Sequence, residues 1–361
     1  MASWGTKNIT WCIVWAISIA ISMSSGLVRA RRTIDDMNVI DKCWRTNPNW
    51  RGHLQQLAMC SIGYTGKMTN NTGSDVTHYR VTDHSDDALN PKPGTLRYGV
   101  TSIKGKVWIT FERDMNIRLA KALLVSSFTT IDARGANVHI AYGACLVLNR
   151  VTNVIIHGLH IHDCMAHGPG PVMGPDRKIV QVGKVDGDAI RMLTSSKIWI
   201  DHNTLYDCKD GLIDVTRGST SITISNNWFR FQDKVMLLGH NDGYRRDKNM
   251  RVTVAFNHFG PRCQQRMPSY ALGGSMNPSI KSEANLFIAP EGHLGPNMNG
   301  NFKSKHDVFE NGACFGESVA KGVAMSPNYT PEQIFEVADG RTVRALTRSA
   351  GALKCPVTSR C

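Results

Sequence analysis

Acidic residues are scarce: 29 Asp and Glu stand against 42 Lys and Arg, a formal net charge of +13 with histidine neutral. Such an excess leaves two readings, a solvated basic surface or a polyanionic partner such as acidic polysaccharide, nucleic acid or anionic membrane. The ten cysteines contain no CxxC spacing, which argues against a structural zinc site. No GxSxG, HExxH or phosphate-cradling glycine loop occurs, which disfavours serine esterase, zinc protease and nucleotide enzyme alike. Beyond the first thirty residues no apolar run approaches the length of a membrane helix.

Those thirty residues read as a secretory leader. Lys7 precedes an apolar stretch from Ile9 to about Met23, and a small-residue exit ends at Ala30. An uncleaved anchor is the alternative, but the run is short for a bilayer and broken by Ser and Thr. Residues 1–30 are therefore expected to leave, and 31–361 to form one exported domain. The leader carries Lys7 and Arg29 and no acid, so the remainder keeps a charge of +11. Cys12 leaves with it, and nine cysteines enter an oxidising compartment. Cys43 with Cys60, Cys145 with Cys164 and Cys355 with Cys361 are candidate local pairs, leaving Cys208, Cys263 and Cys314. Sequons at Asn70 and Asn328 offer glycan acceptors.

The middle of the chain repeats. "VIIHGLHI" from Val154, "IWIDHNTL" from Ile198, "ITISNNWF" from Ile222, "VTVAFNHF" from Val252 and "IKSEANLF" from Ile280 share one pattern: β-formers, a polar pair, then Asn. Asn203, Asn227, Asn257 and Asn285 hold that last place, with Leu159 in the first copy; the Asn spacings are 24, 30 and 28. Periods of this size signal stacked units, and short β-branched runs argue strand. The recurring Asn predicts a turn at left-handed backbone angles and an amide ladder along the stack. An all-β, right-handed parallel β-helix accounts for all of this, whereas a β-sandwich gives no reason for the Asn. "TTIDARGANVHI" reads as an earlier rung. The segment "DKCWRTNPNWRGHLQQLAMC" predicts an N-terminal helix capping the open end. The tail from Thr330 is expected to pack along the outside.

Two acidic groups stand out. "DGDAI" places Asp186 and Asp188 on one face at a strand entry, and "CKDGLIDV" supplies Asp210 and Asp214 about one period on. They are either solvated turns or converging carboxylates that need a cation; oxygen-only donors favour Ca²⁺ over zinc or copper. Lys234 in "DKVMLLGH" and Arg266 in "QQRMP" follow on the next two repeats. Acids on two rungs followed by Lys and Arg on the next two would suit a polymer with a carboxylate on every unit. His202 in "IWIDHN" is read as a structural histidine beside a turn.

The chain resembles the plant pectate lyases of polysaccharide lyase family 1, the group that includes pollen allergens. The likeness rests on "IDKCWR", "NPKPGTLRYGV", "TIDARGANVHI", "DGDAI", "IWIDHNTLYDCKDGLIDVTRGSTSITISNNWF", "DKVMLLGH", "MRVTVAFNHFGPRCQQRMP" and "YALGGSMNPSI", in family order. It implies Ca²⁺-dependent β-elimination on de-esterified homogalacturonan. It further implies Asp186, Asp188, Asp210 and Asp214 as calcium ligands, Lys234 on the substrate carboxylate and Arg266 as the base. A secreted cell-wall monomer is expected, acting on acidic polysaccharide, with no nucleic acid partner and no membrane association once the leader is cut. An arginine base, with an ordinary pKa of roughly 12.5–13.8, predicts an alkaline optimum.

One departure qualifies this. The family continues after the catalytic arginine in an RxPxxR arrangement and a further rung, whereas here "RMPS" runs straight into "YALGGS". By that likeness about one turn of the stack and a second substrate arginine are missing, and a second shortening follows "FIAPEG". A solenoid is expected to tolerate the loss of one turn in register, since each repeat contacts mainly its neighbours. A catalytically impaired pectin-binding wall protein is therefore the rival reading. A hydrolase on the same fold is a third, needing a carboxylic acid and base around a water.

Overall fold

The computed structural model describes residues 36–265, 273–274, 278–289, 297–298, 301–315, 326–356 and 359–361. The expected leader (1–30) and Arg266 lie outside the described residues. Among the described residues, no helix is long and apolar enough to cross a membrane.

The chain climbs through three parallel sheets of seven, six and six strands, one strand of each per turn. One turn runs through Ser196–Asp201, Thr204–Tyr206 and Gly211–Thr216, and the next through Thr220–Ser225, Trp228–Arg230 and Gln232–Leu238. Alternation sends every second side chain inward. In the seven-stranded sheet Ile109, Ile131, Ile156, Ile200, Ile224 and Val254 lie in register on successive rungs. All of these are fully buried except the last, Val254, which is 40% exposed. Burying each such side chain is worth about 1.5–3 kcal/mol, so this column holds the stack together.

The Asn ladder is present. The backbone N–H groups of Leu159, Asn203 and Asn227 donate to the side-chain oxygens of Asn203, Asn227 and Asn257 at 3.0, 2.9 and 2.9 Å. Asn285 does not continue it and pairs with Asp307 instead. The left-handed backbone angles fall one residue earlier than expected, at His202, Asn226, Phe256 and Ala284. The turn bends at that preceding residue, and the ladder amide of Asn203, Asn227 and Asn257 reaches along the stack to the neighbouring turn.

The N-terminal helix spans Val39–Arg45, with Asn38 accepting from the Ile40 and Asp41 N–H groups. It does not cap the end of the stack. Ile40 and Trp44 pack with Trp108, Ile155 and Trp199, the outward residues of the seven-stranded sheet. A large apolar outer row needs a cover, and this segment supplies it. The helix that contributes to the interior is Leu96–Thr101, whose Leu96 and Val100 join the central cluster near the first strand, Thr77–Val81. The tail packs outside as expected, with Phe335 against Phe256 and Gly351 N–H donating to the Asn226 carbonyl. The three candidate disulfides, Cys43–Cys60, Cys145–Cys164 and Cys355–Cys361, are formed.

Two interruptions matter for the site. Rungs beginning at Val154 and Ile198 are direct neighbours although they start 44 positions apart, because an antiparallel hairpin, Gly170–Met173 with Ile179–Val182, is inserted between them. Its Val172, Val180 and Val182 cover Leu124 and Val147 on the outer face of a six-stranded sheet. The second interruption follows Gln265. The seven-stranded sheet ends at Val252–Ala255, while Ser279–Glu283 pairs only with Asn301–Lys305 among the described residues.

Candidate active site

The six-stranded sheet that runs through Ile190–Leu193, Gly211–Thr216, Gln232–Leu238 and Cys263–Gln265 carries the candidate residues. Asp186 and Asp188 precede the first of these strands, Asp210 immediately precedes the second and Asp214 lies within it. Register sets Arg191 beside Asp214, Gly211 beside Lys234 and Lys234 beside Gln265. Inward positions such as Ile190, Met192, Ile213 and Val215 are buried aliphatics. Their alternation leaves Arg191 and Asp214 outward.

The structure brings Asp186, Asp188 and Asp210 together, with one carboxylate oxygen of each within 4.8 Å of the others. Asp214 is a neighbour rather than a member of that trio. A Cβ on Gly211 would stand 2.9 Å from Oδ1 of Asp188 and 2.9 Å from Oδ1 of Asp214, so only glycine leaves the space between these carboxylates open. Asp188 is 4% exposed. Its Oδ1 accepts from the Gly211 N–H at 2.8 Å, and its Oδ2 has no hydrogen-bond partner. Burial, and then the charges of Asp214, Asp186 and Asp210, push its pKa up to about 8. A buried carboxylate in such company needs a cation to remain ionised.

Two cations adjoin the acids. Lys234 Nζ donates to Asp210 Oδ1 at 2.8 Å, and Arg191 Nη1 donates to Asp186 Oδ1 at 2.9 Å. An oxygen-only donor set of clustered carboxylates and an unbonded buried carboxylate oxygen fit Ca²⁺. Arg191 was not singled out from the sequence, although it lies 23 positions before Asp214, one period away on the same face. Gln232 was missed as well. Its amide donates to the Cys208 carbonyl at 3.1 Å while its oxygen accepts from the Cys208 N–H at 2.8 Å, fixing the turn that presents Asp210. Asp210 and Lys234 open into a groove of about 380 Å³ walled by Met165, Lys209, Phe231 and Asp233. Gln265, paired with Lys234, is the last described residue before Arg266.

His202 stands apart from this site. It is buried, with Nε2 2.7 Å from Asp41 Oδ1 and Nδ1 3.1 Å from the Gly351 carbonyl, tying both terminal segments to the sheet.

Fold and site together define a polysaccharide lyase of the parallel β-helix kind. The family model described as pectate lyase matches residues 56–326, and the chain belongs to that family. A probable pectate lyase 9 of Arabidopsis thaliana is 45% identical over 375 residues, covering 94% of this chain and 81% of that protein. A pectate lyase of Zinnia elegans is 43% identical, covering 90% of this chain and 87% of that protein. The crystal structure of the cedar-pollen allergen Jun a 1 superposes with a TM-score of 0.83 at 42% identity, covering 88% of this chain and 99% of that one. The first of these alignments is longer than the chain's own 361 residues, so that relative carries residues absent here.

Proposed function

We propose that the chain is a secreted pectate lyase that cleaves de-esterified homogalacturonan by Ca²⁺-dependent β-elimination. The observation that carries this is the buried, partly unbonded Asp188 set against Asp186 and Asp210, with one carboxylate oxygen of each within 4.8 Å of the others. In this reading Asp186, Asp188, Asp210 and Asp214 hold the calcium. Held there, the ion would supply charge neutralisation of the uronate carboxylate beside C5, which would make the C5 proton more acidic. Lys234, 41% exposed, turns from Asp210 to a substrate carboxylate and shares that charge. Arg266 removes the C5 proton, the C4–O4 bond breaks, a C4=C5 double bond forms, and solvent protonates the departing oxygen. A neutral guanidine is costly: deprotonating an ordinary arginine at about pH 9 takes on the order of 5 kcal/mol. Neighbouring positive charge lowers that cost. The disulfides and the leader-like first thirty residues support export to the cell wall. We read the chain as a monomer acting on acidic polysaccharide.

A pectin-binding protein with little turnover is the second reading. It is favoured by the main sheets ending, among the described residues, at Val252–Ala255 and Cys263–Gln265. An ultraviolet assay for unsaturated product from polygalacturonate separates the two. Lyase action gives rising absorbance that chelator abolishes and excess Ca²⁺ restores, with an alkaline optimum. Retained binding with no absorbance at any pH supports the second reading, and a profile peaking below about pH 6 removes arginine as the base. Reducing ends without the double bond would instead mark a hydrolase.

A further inference from the structure

Within the acidic group, two buried polar atoms face one another without hydrogen bonds. Oδ2 of Asp188 has no partner, and neither does Nε of Arg191. They stand 3.9 Å apart, too far to bond, while the other arm of the guanidinium is bonded to Asp186. Asp188 is 2% exposed at its side chain and Arg191 22%, so little water screens them. The strand register also puts Arg191 directly beside Asp214. One guanidinium thus adjoins the carboxylates of Asp186 and Asp188, and its strand position neighbours that of Asp214.

We infer that Arg191 is a built-in counter-cation that competes with Ca²⁺ for this cluster. The inference rests on the calcium reading above. Arg191 lets the cleft assemble without metal by offsetting the repulsion among Asp186, Asp188 and Asp214. Loading the ion then requires the guanidinium to release Asp186 or to remain as a like charge nearby. At an effective dielectric near 20, a unit charge about 5 Å from a divalent ion weakens its binding at least tenfold. The chain is therefore a weak calcium binder whose affinity is set by one residue outside the ligand set. Arg191 is a positioning residue in this sense, acting through the carboxylates and not on the substrate.

Calorimetric titration of Ca²⁺ into the full-length secreted protein tests this, with Arg191→Gln, Arg191→Lys and the double variant Arg191→Gln/Asp188→Asn alongside. Arg191→Gln is expected to bind Ca²⁺ at least tenfold tighter. Arg191→Lys, which keeps the charge, is expected to stay within about threefold of wild type, and the double variant to lose the gain. In chelator, Arg191→Gln melts below wild type, and saturating Ca²⁺ closes or reverses the difference. Tight binding by Arg191→Gln with none measurable in wild type supports the inference in its strongest form. Equal affinity of wild type and Arg191→Gln overturns the role of Arg191 and leaves the calcium site standing. Absence of binding in both overturns the calcium reading and this inference with it. Should Arg191→Gln fail to fold even with Ca²⁺, the lysine variant decides: binding tightened tenfold with the charge retained refutes competition by charge.

Discussion

His202 has an acceptor at each ring nitrogen, the Asp41 carboxylate and the Gly351 carbonyl. Both nitrogens must donate, so the ring is an imidazolium. Burial alone opposes that charge, but Asp41 and Asp201 outweigh it and the His202 pKa is raised; burial also opposes ionised Asp41, yet His202 and Arg45 lower its pKa. The histidine therefore contributes stability that is fully present below its ordinary pKa of about 6.5 and is lost as pH rises through the raised value. Asp41 contributes stability present above its ordinary carboxylate pKa and lost as pH falls through the lowered one. His202→Gln is expected to cost about 3 kcal/mol at pH 6, by leaving Asp41 buried with Arg45 alone. The difference from wild type in urea midpoint should shrink towards pH 9; a constant difference would rule out a charged His202. The sequence pattern was enough to read this histidine as structural, yet gave no hint of its partners, which lie 161 and 149 positions away. Arg191 was hidden differently. Its place on the outward face follows from alternation, but its neighbours follow only from a register that no single strand contains.

Between neighbouring turns, the ladder amides do work that the inward aliphatics cannot, because they satisfy backbone groups at a bend. Asn227 accepts from both the N–H and the side-chain amide of Asn203, and donates to the Ile200 carbonyl at 2.9 Å. Removing it strands buried donors at about 1–3 kcal/mol each. Asn227→Ala should therefore lower stability by about 3 kcal/mol, seen as a fall of several degrees in thermal midpoint. Asn285→Ala, at an exposed amide, should change it by less than about 1 kcal/mol. Equal losses at the two positions would show that the ladder is incidental. The ladder was legible because a buried amide must recur at a fixed place in each turn. The inserted hairpin was not, since it lengthens one interval without altering the pattern on either side. The Val39–Arg45 helix was legible as a helix, whereas its docking face depended on Trp108, Ile155 and Trp199 turning outward on three separate strands.

Over the whole molecule, the seven-stranded sheet ends at Val252–Ala255 among the described residues. Ile109 to Ile224 are sealed by neighbours on both sides, but Val254, next in the same inward row, is 40% exposed. The seven-stranded sheet stops there, and the next rung, Ser279–Glu283, pairs only onward with Asn301–Lys305 among the described residues. The turn expected, by the family likeness, to be missing after Ser269 would follow this last described strand of the sheet in sequence. Inserting one turn of about twenty residues after Ser269, with a β-branched strand registered on Val252–Ala255 and an arginine facing the groove, should act on two levels. Covering Val254 restores roughly 1.5–3 kcal/mol of burial and raises the thermal midpoint. The arginine adds a charge-assisted contact to a uronate, about 1.5–3 kcal/mol, or ten- to a hundredfold in affinity for polygalacturonate. The same insert with glutamine in place of that arginine separates the effects, since it should keep the stability and lose the affinity. If both inserts raise affinity alike, groove length and not charge limits binding. If neither raises the midpoint, the exposed end at Val254 is not where the stack is weak.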